Sequence, residues 1–353
     1  MQKIIILCAL LPLSWSNPNV TLLINQINSQ QSSWTARINP FDDIESRLGF
    51  LGIHPDPNFQ LEVLEWEEPR TVIPATFDAR EYWPQCKDVI GNIRNQGKCG
   101  SCWAFAAAEV MSDRLCVATN GSVKFEFSPE DLINCCETCG KKCKGGYSYY
   151  AWKYYTSTGL VSGGDYNTSR GCQPYSKSNF NDGVSPECSK TCQNTKYPTS
   201  YLNDRHFGDG TYYILKNVTT IQQEILLRGG PVMAGFDVYE DFKLYREGVY
   251  VHTSGALLGS HAVKIIGWGT ENGWAYWLVA NSWGKDWGAL GGVFKIRRGT
   301  NECKIEQSII TGHVRKDEKS STSTTPVPGS GVRVVGSGVG AVLAMVLFYL
   351  LKF

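Results

Sequence analysis

Histidine is scarce in this chain: five in 353 residues, at His54, His206, His252, His261 and His313. Chemistry that needs an imidazole base has few places to find one. Excess charge is missing too. Thirty-four basic against thirty-three acidic side chains leave a formal charge of +1. Nothing in that balance argues for a nucleic-acid partner or for a membrane surface held by charge. The amino-terminal apolar run, Ile4 to Leu13 behind Lys3, is too short to span a bilayer. With Ser14-Trp15-Ser16 after it, the run reads as a signal peptide, residues 1–16. Cysteine, by contrast, is plentiful. Thirteen are many for a cytosolic protein, but they suit an oxidising compartment, where disulfides persist.

What the chain does have is Gln96-Gly97-Lys98-Cys99-Gly100-Ser101-Cys102-Trp103-Ala104-Phe105. Cys102 stands before an apolar run, Trp103 to Leu115, that contains no Gly or Pro. The run predicts a buried helix with Cys102 at its start. A thiol there feels the positive end of the helix dipole. That favours the thiolate, which is the nucleophile. Gln96, six residues upstream, carries an amide donor for an oxyanion at the attacked carbon.

A thiolate needs a base in reach, and the base needs an orienting partner. His261 has the best setting: a small-residue turn, Gly259-Ser260, precedes it, and an alternating strand-like run follows. Asn281, in Ala280-Asn281-Ser282-Trp283-Gly284, offers a side-chain carbonyl that fixes one ring nitrogen. The other nitrogen then faces the sulfur, and Trp283 shields the bond from water. His206, His252 and His313 suit packing or solvent. Two other chemistries fit fragments of this pattern. Cys99 and Cys102 have the spacing of a redox pair, and Cys136, Cys139 and Cys143 that of zinc ligands. A redox pair has no use for His261 and Asn281, and no histidine lies near the second cluster. A protease with no metal and no cofactor is the preferred reading.

Together these segments resemble the papain family of cysteine proteases, and within it the cathepsin B branch. The resemblance runs from Pro74 to Val314. It includes Phe77-Asp78-Ala79-Arg80, Trp83-Pro84-Gln85-Cys86, Cys143-Lys144-Gly145-Gly146-Tyr147 and Gly159-Leu160-Val161-Ser162-Gly163-Gly164. It implies an α+β fold of two domains, a helical left domain and a β-barrel right domain, with the active-site cleft between them. The strand-like runs Gly230 to Val238, Ala262 to Gly267, Ala275 to Val279 and Gly292 to Arg297 belong to the second. Cys102 becomes the nucleophile, His261 the general base and acid, Asn281 the orienter and Gln96 the oxyanion donor. Gly145, Gly146, Tyr147, Ser148 and Trp283 would line the substrate cleft. Glu306 would form the floor of the second-position pocket, where a carboxylate pairs with arginine.

The same resemblance pairs Cys86 with Cys116, Cys99 with Cys143, Cys135 with Cys188, Cys136 with Cys139, and Cys172 with Cys192. Cys102 then stays free, and Cys303 is left as a buried free thiol. Polypeptides are the implied substrates, and cystatin-type proteins the implied inhibitors. A catalytically silent relative that only binds partners is the competing reading. The complete set Gln96, Cys102, His261 and Asn281 favours the enzyme. One departure concerns the mode of cleavage. Cathepsin B carries an occluding loop with adjacent histidines that bind a substrate's terminal carboxylate. Here Gln173 to Glu187 holds no histidine and no internal cysteine, and Asn95 stands where that branch has a tethering aspartate. This argues against exopeptidase action and for an endopeptidase.

The flanks complete the organisation. Residues 17–73 resemble a propeptide that covers the cleft in reversed direction and keeps a zymogen silent. Residues 74–314 form the catalytic domain, and 315–333 a Ser/Thr/Pro stalk. Residues 334–353 are a hydrophobic tail, with eighteen uncharged residues from Val334 to Leu351. That is either a single span or a GPI signal; the short Lys352-Phe353 end favours the lipid anchor. A secretory route follows, ending in lysosome or endosome, or outside the cell with the tail in a membrane. Asn19, Asn120, Asn167 and Asn217 open Asn-x-Ser/Thr glycosylation sites.

Overall fold

The computed structural model describes residues 18–39, 48, 50–52, 72–214 and 216–315. The expected signal peptide, the stalk beyond Arg315, the hydrophobic tail and His54 lie outside the described residues. Helices among the described residues are α1 (Pro18–Gln30), α2 (Ala79–Tyr82), α3 (Lys87–Ile90), α4 (Cys102–Ala118), α5 (Pro129–Cys135), α6 (Ser148–Ser157) and α7 (Val218–Gln223). Strands are β1 (Trp34–Ala36), β2 (Phe50–Gly52), β3 (Phe77–Asp78), β4 (Gly146–Tyr147), β5 (Tyr212–Ile214) and β6 (Val232–Tyr239). They continue as β7 (Tyr245–Tyr250), β8 (Leu257–Glu271), β9 (Trp274–Ala280), β10 (Val293–Arg297) and β11 (Ser308–Thr311).

α4 is the helix that the apolar run predicts. Every residue from Cys102 to Cys116 is buried, Glu109, Ser112, Asp113 and Arg114 among them. A helix buried on every side belongs inside a core, and its charges need partners there. It stops at Thr119, whose backbone N–H and Oγ1 both donate to Leu115 O, at 3.1 and 2.7 Å. Asn120 and Gly121 then turn the chain in the left-handed region, at φ 50° and 79°.

The second half is a sheet in the order β1-β7-β10-β9-β8-β6-β11-β5, with β3 also paired to β8. All four expected strands are present in it. β8 and β9 are joined by Asn272-Gly273 at φ 51° and 84°, the two positive-φ residues that a tight hairpin needs. One core lies among the sheet strands, around Trp268, Trp277, Trp283, Trp287, Phe242 and Phe294. A second surrounds α4, with α5 and α6 on one side and Tyr213, Met233, Ala262 and Ile310 of the sheet on the other. The α+β architecture of a helical half against a sheet half is thus observed.

Three buried ion pairs, in two clusters, bolt α4 to the sheet half. Lys264 Nζ of β8 lies 2.8 Å from Asp113 Oδ2 and 3.6 Å from Glu109 Oε2, and donates to Ile90 O at 3.1 Å. Arg114 Nη2 reaches Glu224 Oε1 at 2.7 Å, where Tyr212 also donates. Removing Lys264, Asp113, Arg114 or Glu224 typically costs about 3–5 kcal/mol, because it strands the other charge; Lys264 without Glu109 still has Asp113. The helix carrying Cys102 and the strand carrying His261 are therefore fixed to each other.

The segment before the catalytic region is docked. Ile27 of α1 enters the sheet core. Trp34 of β1 donates from Nε1 to Val251 O at 2.9 Å and packs on Tyr250 at 5.2 Å. Asn39 donates to Lys243 O and Tyr245 O at 2.7 and 2.9 Å. Further on, β2 pairs in parallel with β4, Phe50 opposite Gly146 and Gly52 opposite Tyr147. All five expected disulfides are present: Cys86–Cys116, Cys99–Cys143, Cys135–Cys188, Cys136–Cys139 and Cys172–Cys192. They rule out the redox reading of Cys99 with Cys102 and the zinc reading of Cys136, Cys139 and Cys143.

Candidate active site

Cys102 is the first residue of α4, and its sulfur forms no disulfide. The leading N–H groups of a helix have no acceptor within the helix, so they concentrate positive potential there. β8 packs against α4. His261 stands in β8 beside Ala262, which shares the buried cluster of Cys102.

Asn281 follows the last residue of β9. Its Oδ1 sits 2.8 Å from His261 Nε2 and also accepts from Ser282 N at 2.8 Å. The backbone donor identifies that atom as the carbonyl oxygen. An amide oxygen only accepts, so Nε2 carries the ring proton and Nδ1 is the basic nitrogen. Trp283 is fully buried and lies against the imidazole, ring centroids 4.7 Å apart at 31°.

Gln96 is buried and belongs to the same assembly. Its Oε1 accepts from Ser282 Oγ at 2.7 Å, and its Nε2 donates to Cys99 O at 2.8 Å. A primary amide has two N–H donors, and the bond to Cys99 uses one. The backbone agrees: Gln96 N donates to Ser282 O at 2.9 Å. One stretch, Asn281 to Trp283, thus touches both the imidazole and the amide.

Residues 73–313 match the papain family of cysteine proteases. The chain belongs to that family. It is 47% identical over 307 residues to a cathepsin B-like cysteine proteinase of Caenorhabditis elegans, covering 81% of this chain and 90% of that one. A gut-specific cysteine proteinase of the same worm is 44% identical over 304 residues, 83% and 90% covered. Among solved structures, a procathepsin B of Trypanosoma congolense superposes with TM-score 0.74 at 34% identity, covering 86% of this chain and 99% of its own. A digestive procathepsin of the Tenebrio molitor larval midgut, at 24% identity and TM-score 0.67, shares the fold.

The other papain-family positions are placed as follows. Gly145 and Gly146 are both buried, Gly145 at φ 105°. A Cβ on Gly146 would meet the Trp103 ring at 2.5 Å and Cys139 O at 2.6 Å. Only glycine lets this edge lie against α4 and still pair with β2. Tyr147 is half-buried. Ser148 is fully buried at the start of α6, beneath the surface rather than at a pocket mouth. Trp283 is fully buried, against His261 and within the sheet core.

Glu306 does not have the setting of a pocket floor. It is 4% exposed. Its Oε1 accepts from Trp277 Nε1 at 3.0 Å and Gly299 N at 2.6 Å, and its Oε2 from Asn301 N at 2.9 Å. Those donors make the carboxylate the knot of the turn between β10 and β11. The side chain facing the helical half is Ser308. It pairs with Gly235, which pairs with Ala262, and it shares a face with Ile310 of the α4 cluster.

Cys303 is free but half-buried, not buried as expected. Burial, with the carboxylates of Glu302 and Asp241, pushes its thiol well up. That direction disfavours the thiolate, the nucleophilic form. His252 lies 3.2 Å from Asp241 and stacks on Tyr239, and His206 packs on Phe125. Asn120, Asn167 and Asn217 are exposed, as a glycosylation acceptor must be; the side chain of Asn19 is outside the described residues. What sequence reasoning missed is the support behind the site: Ser282, Lys264, Glu109 and Asp113. Their one signal was a polar residue inside an otherwise apolar run.

Proposed function

We propose that the chain is the zymogen of a cysteine endopeptidase with Cys102, His261 and Asn281 as its triad. The observation that carries this is the His261 Nε2 bond to Asn281 Oδ1, 2.8 Å long, on a strand packed against the helix that begins at Cys102. With Nε2 protonated, Nδ1 takes the thiol proton. The thiolate attacks the peptide carbonyl, a C–S bond forms, and the π electrons move to oxygen. Gln96 Nε2 and the Cys102 backbone N–H stabilise that oxyanion. The imidazolium then gives its proton to the departing amine as the C–N bond breaks. Water, deprotonated by His261, cleaves the resulting thioester and restores the thiolate.

Substrate lies extended along Gly146 and pairs with it antiparallel. β2 pairs there in parallel, so the N-terminal segment fills the same edge with opposite polarity and offers no correctly oriented peptide bond. The loop from Cys172 to Cys192 is turned away from exopeptidase work. Lys190 donates to Tyr154 and Tyr201 hydroxyls at 2.9 and 3.1 Å, and Lys177 is exposed at the start of the helical segment Ser178–Asp182. No histidine joins them in that loop. An open cleft also suits a cystatin-type inhibitor. The five disulfides support a secretory, lysosomal or extracellular setting, and residues 334–353 would anchor the protein in a membrane.

The test uses acid-matured protein and a long peptide with a free carboxyl end, beside its amidated twin. Equal internal cuts in both, lost in Cys102→Ser, are the expected result. Stepwise dipeptide loss from the free acid alone contradicts the endopeptidase reading. A properly matured wild type with no turnover on either peptide supports the binding-only relative instead.

A further inference from the structure

Tyr175 sits in the loop that carries no catalytic histidine, and its ring is buried. The ring meets Phe105 of α4 edge-on at 4.9 Å, and its backbone N–H donates to Gly164 O at 2.9 Å. The following residues are pinned as well. Ser176 N and Asn179 Nδ2 donate to Glu130 Oε2 at 3.1 and 2.7 Å, and Phe180 O accepts from Lys98 N at 2.8 Å. This is a rigid mount for one hydroxyl.

That hydroxyl donates to the backbone oxygen of Gln96 at 2.8 Å. A carbonyl cannot donate, so the single phenolic proton is committed there. The contact between Tyr175 Oη and Ser101 Oγ, 3.2 Å, then has the serine as its donor, and that serine proton is shared with Cys99 O at 3.4 Å. Ser101 is the residue before Cys102 and makes no side-chain cap to α4. One buried oxygen thus spans the two segments that hold the oxyanion donors: the Gln96 side chain and the first N–H of α4.

We propose that Tyr175 is a positioning residue for oxyanion stabilisation, holding Gln96 and the Ser101–Cys102 start of α4 at a fixed separation. The proposal rests on the protease reading above. A donor aimed at charge that appears only in the transition state gains its effect from being held in place beforehand. Loosening one end lets the donors drift, which lowers turnover without weakening ground-state binding. A merely space-filling tyrosine predicts no such selectivity, because phenylalanine would fill the same space.

The test compares wild type with Tyr175→Phe, matured in the same way, in three measurements. These are kcat and KM on a peptide substrate, inhibition by a peptide aldehyde, and the alkylation rate of Cys102 by iodoacetamide. The aldehyde adds to the thiol and places an oxygen in the oxyanion position; alkylation forms no oxyanion. We expect kcat and aldehyde affinity each to fall about tenfold, with KM and the alkylation rate within twofold of wild type. Unchanged kcat and aldehyde affinity overturn the proposal, as does alkylation that falls in step with kcat. If Tyr175→Phe does not fold, Ser101→Ala decides. It must lose aldehyde affinity at an unchanged alkylation rate, and otherwise the proposal is wrong. Wild-type protein whose turnover survives complete alkylation of Cys102 overturns the protease reading itself, and this proposal with it. An active, alkylation-sensitive wild type isolates any failure to Tyr175.

Discussion

Ser282 Oγ donates to Gln96 Oε1 across 2.7 Å, although 186 positions separate the two residues. Asn281, the residue before Ser282, accepts from the His261 ring. The amide proposed for the oxyanion and the imidazole proposed as base are therefore aligned by one short stretch after β9. Gln96→Ala should lower kcat by about 10²–10³-fold, the usual loss of one oxyanion donor. Ser282→Ala keeps the donor but frees its orientation, so a smaller fall in kcat at similar KM is expected. Steady-state kinetics on one peptide substrate checks both. A Ser282→Ala enzyme slower than Gln96→Ala would contradict the order.

Asn281→Ala removes the acceptor that fixes the imidazole tautomer. kcat/KM should fall by about 10²-fold, at the lower end of what a general base contributes. The Trp283 contact to His261 persists in this variant, so thermal stability should drop by far less than activity. Unfolding curves recorded beside the kinetics separate the two. A loss of activity that only tracks a loss of folded protein would reassign Asn281 to packing.

Glu306→Gln should act on stability and leave specificity alone. The carboxylate accepts from Trp277, Gly299 and Asn301. A carboxamide turns an N–H toward one of those donors, a cost of about 1–3 kcal/mol. Denaturant unfolding should show that loss. The ratio of kcat/KM for Arg against Phe at the second substrate position should not move. A tenfold change in that ratio would return Glu306 to the pocket.

Cys102 and Glu306 differ in how far their surroundings are written in the local sequence. A mostly apolar run with no Gly or Pro predicts α4 from Trp103 to Leu115, and the helix spans Cys102–Ala118. The run Ala262 to Gly267 marks only the centre of β8, Leu257–Glu271. Its ends are stabilised by pairing with β6 and β9, which local pattern does not reveal. Glu306 fails for a sharper reason. It lies in a turn two residues before Ser308, and a turn position carries no periodicity to say which way a side chain points. Glu109, Asp113 and Lys264 were illegible because a charge within an apolar run names neither its partner nor its burial.

That charge cluster has a pH signature. Burial raises the Glu109 carboxyl from 4.5 to about 7; Asp113 and Asp165 add to the rise, and Lys264 and Arg94 oppose it. The folded state thus prefers this carboxyl protonated. Its contribution is complete below about pH 4.5 and is lost as the pH climbs through about 7. Glu109→Gln stays neutral throughout. Relative to wild type it should gain up to about 3 kcal/mol at pH 7.5 and little at pH 4. Melting curves at the two pH values test this, and equal pH slopes in both proteins would contradict it.

The most direct measurement is the site of covalent labelling. The acid-matured protein is treated with a thiol-protease inhibitor that alkylates the nucleophile, and the modified peptide is found by mass spectrometry as activity is followed. One label per molecule on Cys102, accumulating in step with loss of turnover, is the predicted result. A label on Cys303, or full activity with Cys102 modified, would contradict the assignment of Cys102 as the nucleophile.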